Sequence, residues 1–375
     1  MKFVHIGDLH LGKVIHQCSL LSIQRELLFE LLDEMDQRNI RLLVIAGDIY
    51  DRLIPSQEAV NLLDEFLTKA LLTYHIEVLM ISGNHDSSDR LHFASSLLVK
   101  NGLHIETYLK EKMVYVEKEN VRFYLLPFVK PSQVRMLYPD QEIHTYQEAL
   151  AYYLSKQSLD HDYQNILVTH QFVGHSSITS ESEVPLSVGG SEIIDASLFD
   201  DFDYVALGHL HAPQKVKRET MRYSGSLMCY SFDEVKQKKS VVVVDTDTME
   251  ITTFSLHPSQ TLQKYQGTFD ELMDVNFIEK KDDYLSFELL DQKIIPHAIE
   301  QLRVLYPHLL QLTYQYLMQD AKQSTFRPMQ SIEQMDTLSL FQQFYHDVKN
   351  QELSNLAKDV VQELLEKAGE KSEDY

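Results

Sequence analysis

A chain of 375 residues is long enough for a large core and more than one domain, and 44% apolar with 24% charged residues is ordinary globular composition. A formal net charge of −22 excludes a nucleic-acid surface spread over the whole chain, because phosphates need cationic partners. Any such footprint has to be local, supplied by bound cations, or shared with a partner protein. The two cysteines, Cys18 and Cys229, exclude a disulfide framework and a cysteine-based zinc site, and they fit a reducing cytosol. Asp8 interrupts a short N-terminal apolar stretch, so no signal peptide is expected, and no run of about 18 apolar residues is present to span a membrane. A cytoplasmic location is expected.

Residues 1 to 110 alternate strand and helix. A strand over 2–7 precedes a helix over 22–37, where Ile23, Leu27, Leu28, Leu31, Leu32 and Met35 recur at helical spacing. A strand over 41–46 leads to a helix over 56–72, started by Pro55 and Ser56. A strand over 76–81 leads to a helix over 89–100. This alternation implies parallel strands with right-handed crossovers. Strands over 113–117 and 122–126, a helix over 146–158 and a strand over 165–169 come next. Strands over 202–207, 214–217, 221–224, 240–245 and 250–256 follow. The fold class is α/β, with two sheets packed face to face and helices outside. The composition shifts near His257-Pro258. Domains are therefore expected at 1–256, at 257–325 as a small α+β module, and at 326–375 as a linker with two amphipathic helices. The first helix carries Ile332, Met335, Leu338, Phe341, Phe344, Tyr345 and Val348. The second carries Leu353, Leu356, Val360, Val361, Leu364 and Leu365.

Five predicted strands end in metal-type ligands: Asp8 and His10, Asp48, Asn84 with His85 and Asp86, His170, and His209 with His211. Alternate residues leaving a strand can point the same way, so Asp8 and His10 can face one ion. Asp48 has two oxygens and can bridge two ions. Oxygen and nitrogen ligands without thiolate favour Mn²⁺, Fe²⁺ or Zn²⁺ over Ca²⁺. Two such ions about 3.5–4 Å apart can hold a phosphate and activate a water for in-line attack. His85 is the candidate to stabilise developing charge or protonate the leaving oxygen. Asp86 either orients His85 or caps the following turn. Each piece alone is a plausible turn or surface pair; the five together, each at a strand end, specify a two-metal phosphoesterase site. The remaining histidines read as solvated or locally satisfied, including His175, where substrate contact is conceivable but not expected. Gly7-Asp8-Leu9-His10-Leu11-Gly12-Lys13 matches most of a P-loop, but Val14 stands where Mg²⁺ coordination needs Ser or Thr.

These motifs resemble the calcineurin-like metallophosphoesterase superfamily. Residues 8–13, 47–51, 83–86 and 169–171, Gly208-His209-Leu210-His211, and the 223–240 segment narrow the resemblance to nuclease subunits of bacterial SbcCD complexes. The resemblance implies a manganese-dependent DNA exonuclease and endonuclease acting in DNA repair, recombination and replication with an SbcC ATPase. Asp8, His10, Asp48 and His211 would hold one metal. Asp48, Asn84, His170 and His209 would hold the other, with His85 catalytic. Some relatives carry a second catalytic histidine where this chain has Asp51, so no such role is expected there. The 257–325 module would cap the site and face DNA. The last two helices would grip the base of the ATPase coiled coil, and the chain would form a homodimer within a heterotetramer. The alternative is a metallophosphatase on a nucleotide or phosphoprotein, which the site alone cannot separate from a nuclease. A non-catalytic scaffold is disfavoured by the complete ligand set.

Overall fold

The computed structural model describes residues 1–174 and 193–317, together with isolated helical positions at 342, 345, 357, 358 and 361. It begins with β1 (Lys2–Ile6), a short hairpin of β2 (Val14–Ile15) and β3 (Cys18–Ser19), and α1 (Leu21–Gln37). Then come β4 (Leu42–Ala46), α2 (Gln57–Thr68), β5 (Glu77–Ile81), α3 (Ser88–His92), α4 (Ser95–Leu98) and β6 (Leu103–Glu106). Hairpin strands β7 (Val114–Lys118) and β8 (Val121–Leu126) lead through α5 (Pro131–Leu137) and α6 (Tyr146–Ser155) to β9 (Gln164–His170). β10 (Tyr204–Gly208), β11 (Gln214–Val216), β12 (Arg218–Tyr223), β13 (Val241–Asp245) and β14 (Glu250–Phe254) complete two six-stranded sheets. One sheet runs β14-β13-β1-β4-β5-β6 and the other β11-β12-β10-β9-β8-β7.

The central strands are nearly unbroken apolar runs because both of their faces are covered. Phe3, Val44, Leu79, Phe123, Val168 and Ala206 fill the space between the sheets. Val4, Leu43, Ile45 and Met80 face the other way, onto α1 and α2. Leu126, Leu167, Val205 and Leu207 meet α5 and α6 on the far side. The order is helix, sheet, sheet, helix. In the middle of the first sheet β1, β4 and β5 are parallel neighbours, as are β9 and β10 in the second. Five carboxyl ends thus open on one side, where ligands of such sheets bind.

Three local expectations differ. The helix expected over 89–100 is broken into α3, α4 and a single 3-10 turn, because Ala94 takes a left-handed conformation with φ of 60° that cannot continue a helix. Gly102, with φ of 86°, then turns the chain into β6, an edge strand not anticipated from the sequence. α5 was also not anticipated, although Pro131 at its first turn is a start signal.

Beyond residue 257 lie β15 (Leu262–Gly267), α7 (Phe269–Leu272), β16 (Tyr284–Leu289), α8 (Ala298–Leu305) and β17 (Leu309–Tyr314). Their three strands form a separate sheet in the order β15-β16-β17. Leu262 and Tyr284 share a buried cluster with Leu27, Tyr230 and Phe232, and Glu30 accepts from the His257 backbone N at 2.8 Å. One compact unit comprises Met1–Leu289 and Ile295–Leu312, and a second comprises Leu290–Ile294 and Thr313–Tyr375. Apart from those isolated helical positions, the two expected C-terminal helices lie outside the described residues, as does His175. Among the described residues no helix is long and apolar enough to cross a membrane.

Candidate metal centre

The strand ends carry their ligands into one buried cluster. Asp8, His10, Asp48, His170 and His211 are each at most 2% exposed. The loops turn sharply here: Asp8, His10, Asp48 and His209 all have positive φ, a conformation that non-glycine residues adopt only where the surroundings enforce it. Glycine is required beside them. A Cβ on Gly208 would lie 1.9 Å from the Ala46 carbonyl oxygen, and one on Gly83 would lie 2.1 Å from Asp48 Oδ1.

Backbone groups fix the carboxylates. The His209 N–H donates to Asp8 Oδ1 at 2.9 Å, and the His85 N–H donates to Asp48 Oδ1 at 2.9 Å. Asp48 Oδ2 then faces both His10 Nε2 at 3.6 Å and His170 Nε2 at 3.4 Å. His10 Nε2 lies 3.1 Å from His211 Nε2. Asn84 Oδ1 lies 2.9 Å from His170 Nε2 and 3.1 Å from His209 Nδ1. The structure thus gathers Asp8, His10, Asp48, Asn84, His170, His209 and His211 into one cluster. Metal-type ligand atoms also approach one another in the sets Asp8–His10–His211, Asp8–Asp48–His170 and His10–Asp48–His85.

Ring orientation shows what the cluster fits. His170 Nδ1 is 2.8 Å from the Ala46 carbonyl, and a carbonyl only accepts, so Nδ1 is the donor. His211 Nδ1 donates in the same way to Glu234 Oε1 at 2.9 Å. Both rings therefore present Nε2 to the cluster. Imidazole lone pairs, an amide oxygen and carboxylate oxygens converging at 3–4 Å are mutually repulsive unless protons or cations lie between them. The donor set fits two divalent ions.

Burial raises the Asp8 carboxyl against the lowering pull of His170 and His211, to about 7. Burial opposes the His170 imidazolium, but Asp48 and Asp8 outweigh it and carry that pKa up to about 9. Before any ion binds, His170 therefore holds a proton at pH 7 that a metal must displace. Metal affinity is expected to rise about tenfold per pH unit from 7 toward 9, and to fall more steeply below 7, where Asp8 also protonates. Calorimetric titration in buffers of different ionisation enthalpy checks this through the protons released. Affinity unchanged between pH 6 and 9 would contradict it.

Asp86 neither orients His85 nor caps the following turn. Its carboxylate accepts from the backbone N–H groups of Ile49 (3.0 Å), Tyr50 (2.9 Å) and Gly83 (2.9 Å), which ties the β4 loop to the β5 loop. Burial and the nearby Asp48 push it up to about 6 against those three donors. His85 is oriented instead by the Asp51 carbonyl, which accepts from its Nδ1 at 3.0 Å, so that Nε2 is the ring nitrogen left for another partner. The Asp51 carboxylate pairs with Lys13 Nζ at 2.9 Å. The P-loop-like segment commits Asp8 and His10 to the cluster. Gln24 was missed altogether: its Nε2 donates to the carbonyls of Leu9 (3.0 Å) and His10 (2.8 Å), and it holds that loop from α1. Glu234 was missed too, since nothing in its local sequence distinguishes it from a surface acid.

Residues 1–213 match the family described as Calcineurin-like phosphoesterase, and residues 258–349 match the Type 5 capsule protein repressor C-terminal domain. The chain is 34% identical over 371 residues to a Staphylococcus epidermidis protein named as a nuclease subunit of SbcCD, covering 97% of this chain and 98% of that one. Among solved structures, TT1561 of Thermus thermophilus is 10% identical with a TM-score of 0.40, and a dimetal phosphatase from Danio rerio is 13% identical with a TM-score of 0.39. Each covers 68% of this chain and 99% of its own.

Proposed function

The chain belongs to the calcineurin-like phosphoesterase family and, within it, to the nuclease subunits of SbcCD complexes, and from that premise we propose that it cleaves DNA phosphodiester bonds at the cluster described above. The observation that carries the nuclease over the phosphatase is the extent of the likeness. It runs through the 257–325 module and the tail, neither of which a minimal phosphatase needs.

Asp8, His10, Asp48 and His211 would hold one divalent ion; Asp48, Asn84, His170 and His209 would hold the other. Manganese is the proposed metal. When bound, the two ions supply Lewis acidity and a nucleophilic water for in-line attack on phosphorus. Their four positive charges exceed the two negative charges of Asp8 and Asp48, which reverses the sign of the field at this one place on a chain of net charge −22. His85 stands beside them with Nε2 available, and its role is to stabilise charge on the phosphate or to donate a proton to the leaving oxygen. The 257–325 module is the proposed DNA-facing cap. The 326–375 tail is the proposed grip on an SbcC ATPase, in a reducing cytosol and within a dimeric assembly.

The direct test compares a labelled DNA hairpin with para-nitrophenyl phosphate esters, with and without Mn²⁺. Manganese-dependent DNA cleavage is expected. Ester hydrolysis with DNA left intact, even after SbcC and ATP are added, would favour the phosphatase. Truncation at Arg327 is expected to keep the metal centre and to lose co-purification with SbcC, and retained co-purification would remove the tail assignment.

A further inference from the structure

His211 is held from behind by a side chain. Its Nδ1 donates to Glu234 Oε1 at 2.9 Å, which leaves Nε2 facing His10. Glu234 is 0% exposed. Its other oxygen, Oε2, accepts from Lys239 Nζ at 2.7 Å and from the Tyr230 backbone N–H at 3.2 Å. Lys239 Nζ also donates to the His211 carbonyl (2.8 Å), Ser226 Oγ (2.8 Å) and Gln237 Oε1 (2.7 Å). A buried carboxylate is tolerable only when paired and hydrogen-bonded, and this one is both. His170, by contrast, is oriented by a backbone carbonyl, which does not change charge or position without moving β4.

Glu234 sits on the 3-10 segment Phe232–Lys236, and β15 of the module packs against that turn. Leu262 of β15 and Tyr284 of β16 share a buried apolar cluster with Tyr230, Phe232 and Met228. The segment that aims His211 is thus also the segment on which the module rests.

We propose that Glu234, clamped by Lys239, is the positioning residue for His211, and that the module beyond residue 257 acts on one metal through this turn. The proposal rests on the two-metal reading of the site. A carboxylate behind a ligating imidazole fixes the tautomer and ring angle and raises the basicity of the ligating nitrogen. Losing such a partner costs about 10- to 100-fold in metal affinity. The effect has to be selective, because His211 belongs to only one of the two ligand sets.

The experiment titrates the full chain with Mn²⁺ and follows it by calorimetry and electron paramagnetic resonance, for wild type, Glu234→Ala, Glu234→Gln and Leu262→Ala. Glu234→Ala is expected to weaken one ion about 10- to 100-fold and leave the other unchanged. Glu234→Gln should fall between, because its amide oxygen still accepts from His211 Nδ1 while its NH₂ opposes Lys239. Leu262→Ala should weaken the same ion by a smaller factor. Circular dichroism of the metal-free variants checks folding, and if Glu234→Ala does not fold then Glu234→Gln carries the test. Wild-type affinity for both ions, or equal weakening of both, in a folded Glu234 variant overturns the positioning role. Wild-type affinity in Leu262→Ala overturns the link to the module. A wild-type chain that never binds a second ion overturns the two-metal reading instead.

Discussion

His85→Gln is expected to keep both metal ions and to lose DNA cleavage by about 10²- to 10⁴-fold, the usual contribution of a positioned proton-transfer group. The separation follows from how position 85 supports the site. What Asp48 needs from residue 85 is its backbone N–H, 2.9 Å from Oδ1, and a substitution of the side chain leaves that bond in place. What the side chain contributes is a ring whose Nδ1 rests on the Asp51 carbonyl at 3.0 Å, with Nε2 left for the substrate. Glutamine can reach a similar position but cannot take up and release a proton near neutral pH. The His10–Asp48–His85 grouping makes the metal content decisive. Elemental analysis that finds two ions with cleavage lost places His85 in the chemistry. A drop in metal content would make it a ligand, and full residual cleavage would remove it from both roles.

Asp48→Asn is expected to lose both ions, in contrast to the one-sided effect at Glu234. Asp48 is the residue shared by the two proposed ligand sets, with Oδ1 committed to the His85 N–H and Oδ2 turned toward His10 and His170. An amide has one oxygen. If it accepts from His85, the NH₂ faces the ions; if it faces the ions, the NH₂ meets the His85 N–H. Removing one partner from a buried charged cluster costs about 3–5 kcal/mol, or about 10²- to 10⁴-fold in affinity at each ion. Cleavage should fall below detection. The metal-free protein should change as well, because burial disfavours the Asp48 charge but His170 and His10 outweigh it and hold its carboxyl well below the usual range. With that carboxylate gone, His170 loses its main support and should titrate lower, which nuclear magnetic resonance of the ring protons would record. One ion retained at wild-type affinity would show that Asp48 does not bridge.

The sequence by itself determined which residue types stand at which strand ends. Each apolar run is about as long as one buried strand, and a glycine or a candidate ligand follows within two residues of its end. Asp8, His10, Asp48, Asn84, His170, His209 and His211 were therefore legible as one set from local order alone. The alternation of strand and helix over the first hundred residues likewise specified parallel strands, which place the ends carrying Asp8, Asp48 and Asn84 on one side. Only the tertiary structure decided what stands behind the set. Glu234 meets His211 across 23 residues, Asp86 reaches Ile49 across 37, and Gln24 reaches the His10 carbonyl across 14. Nothing in the neighbourhood of Glu234 or Gln24 marks it apart from a solvated acid or amide on a helix. Their roles arise because burial removes water from particular backbone and ring donors, which then need partners, and packing alone determines which side chains are within reach. The break at Ala94 has the same origin: its left-handed backbone is imposed by surroundings that local propensity does not contain.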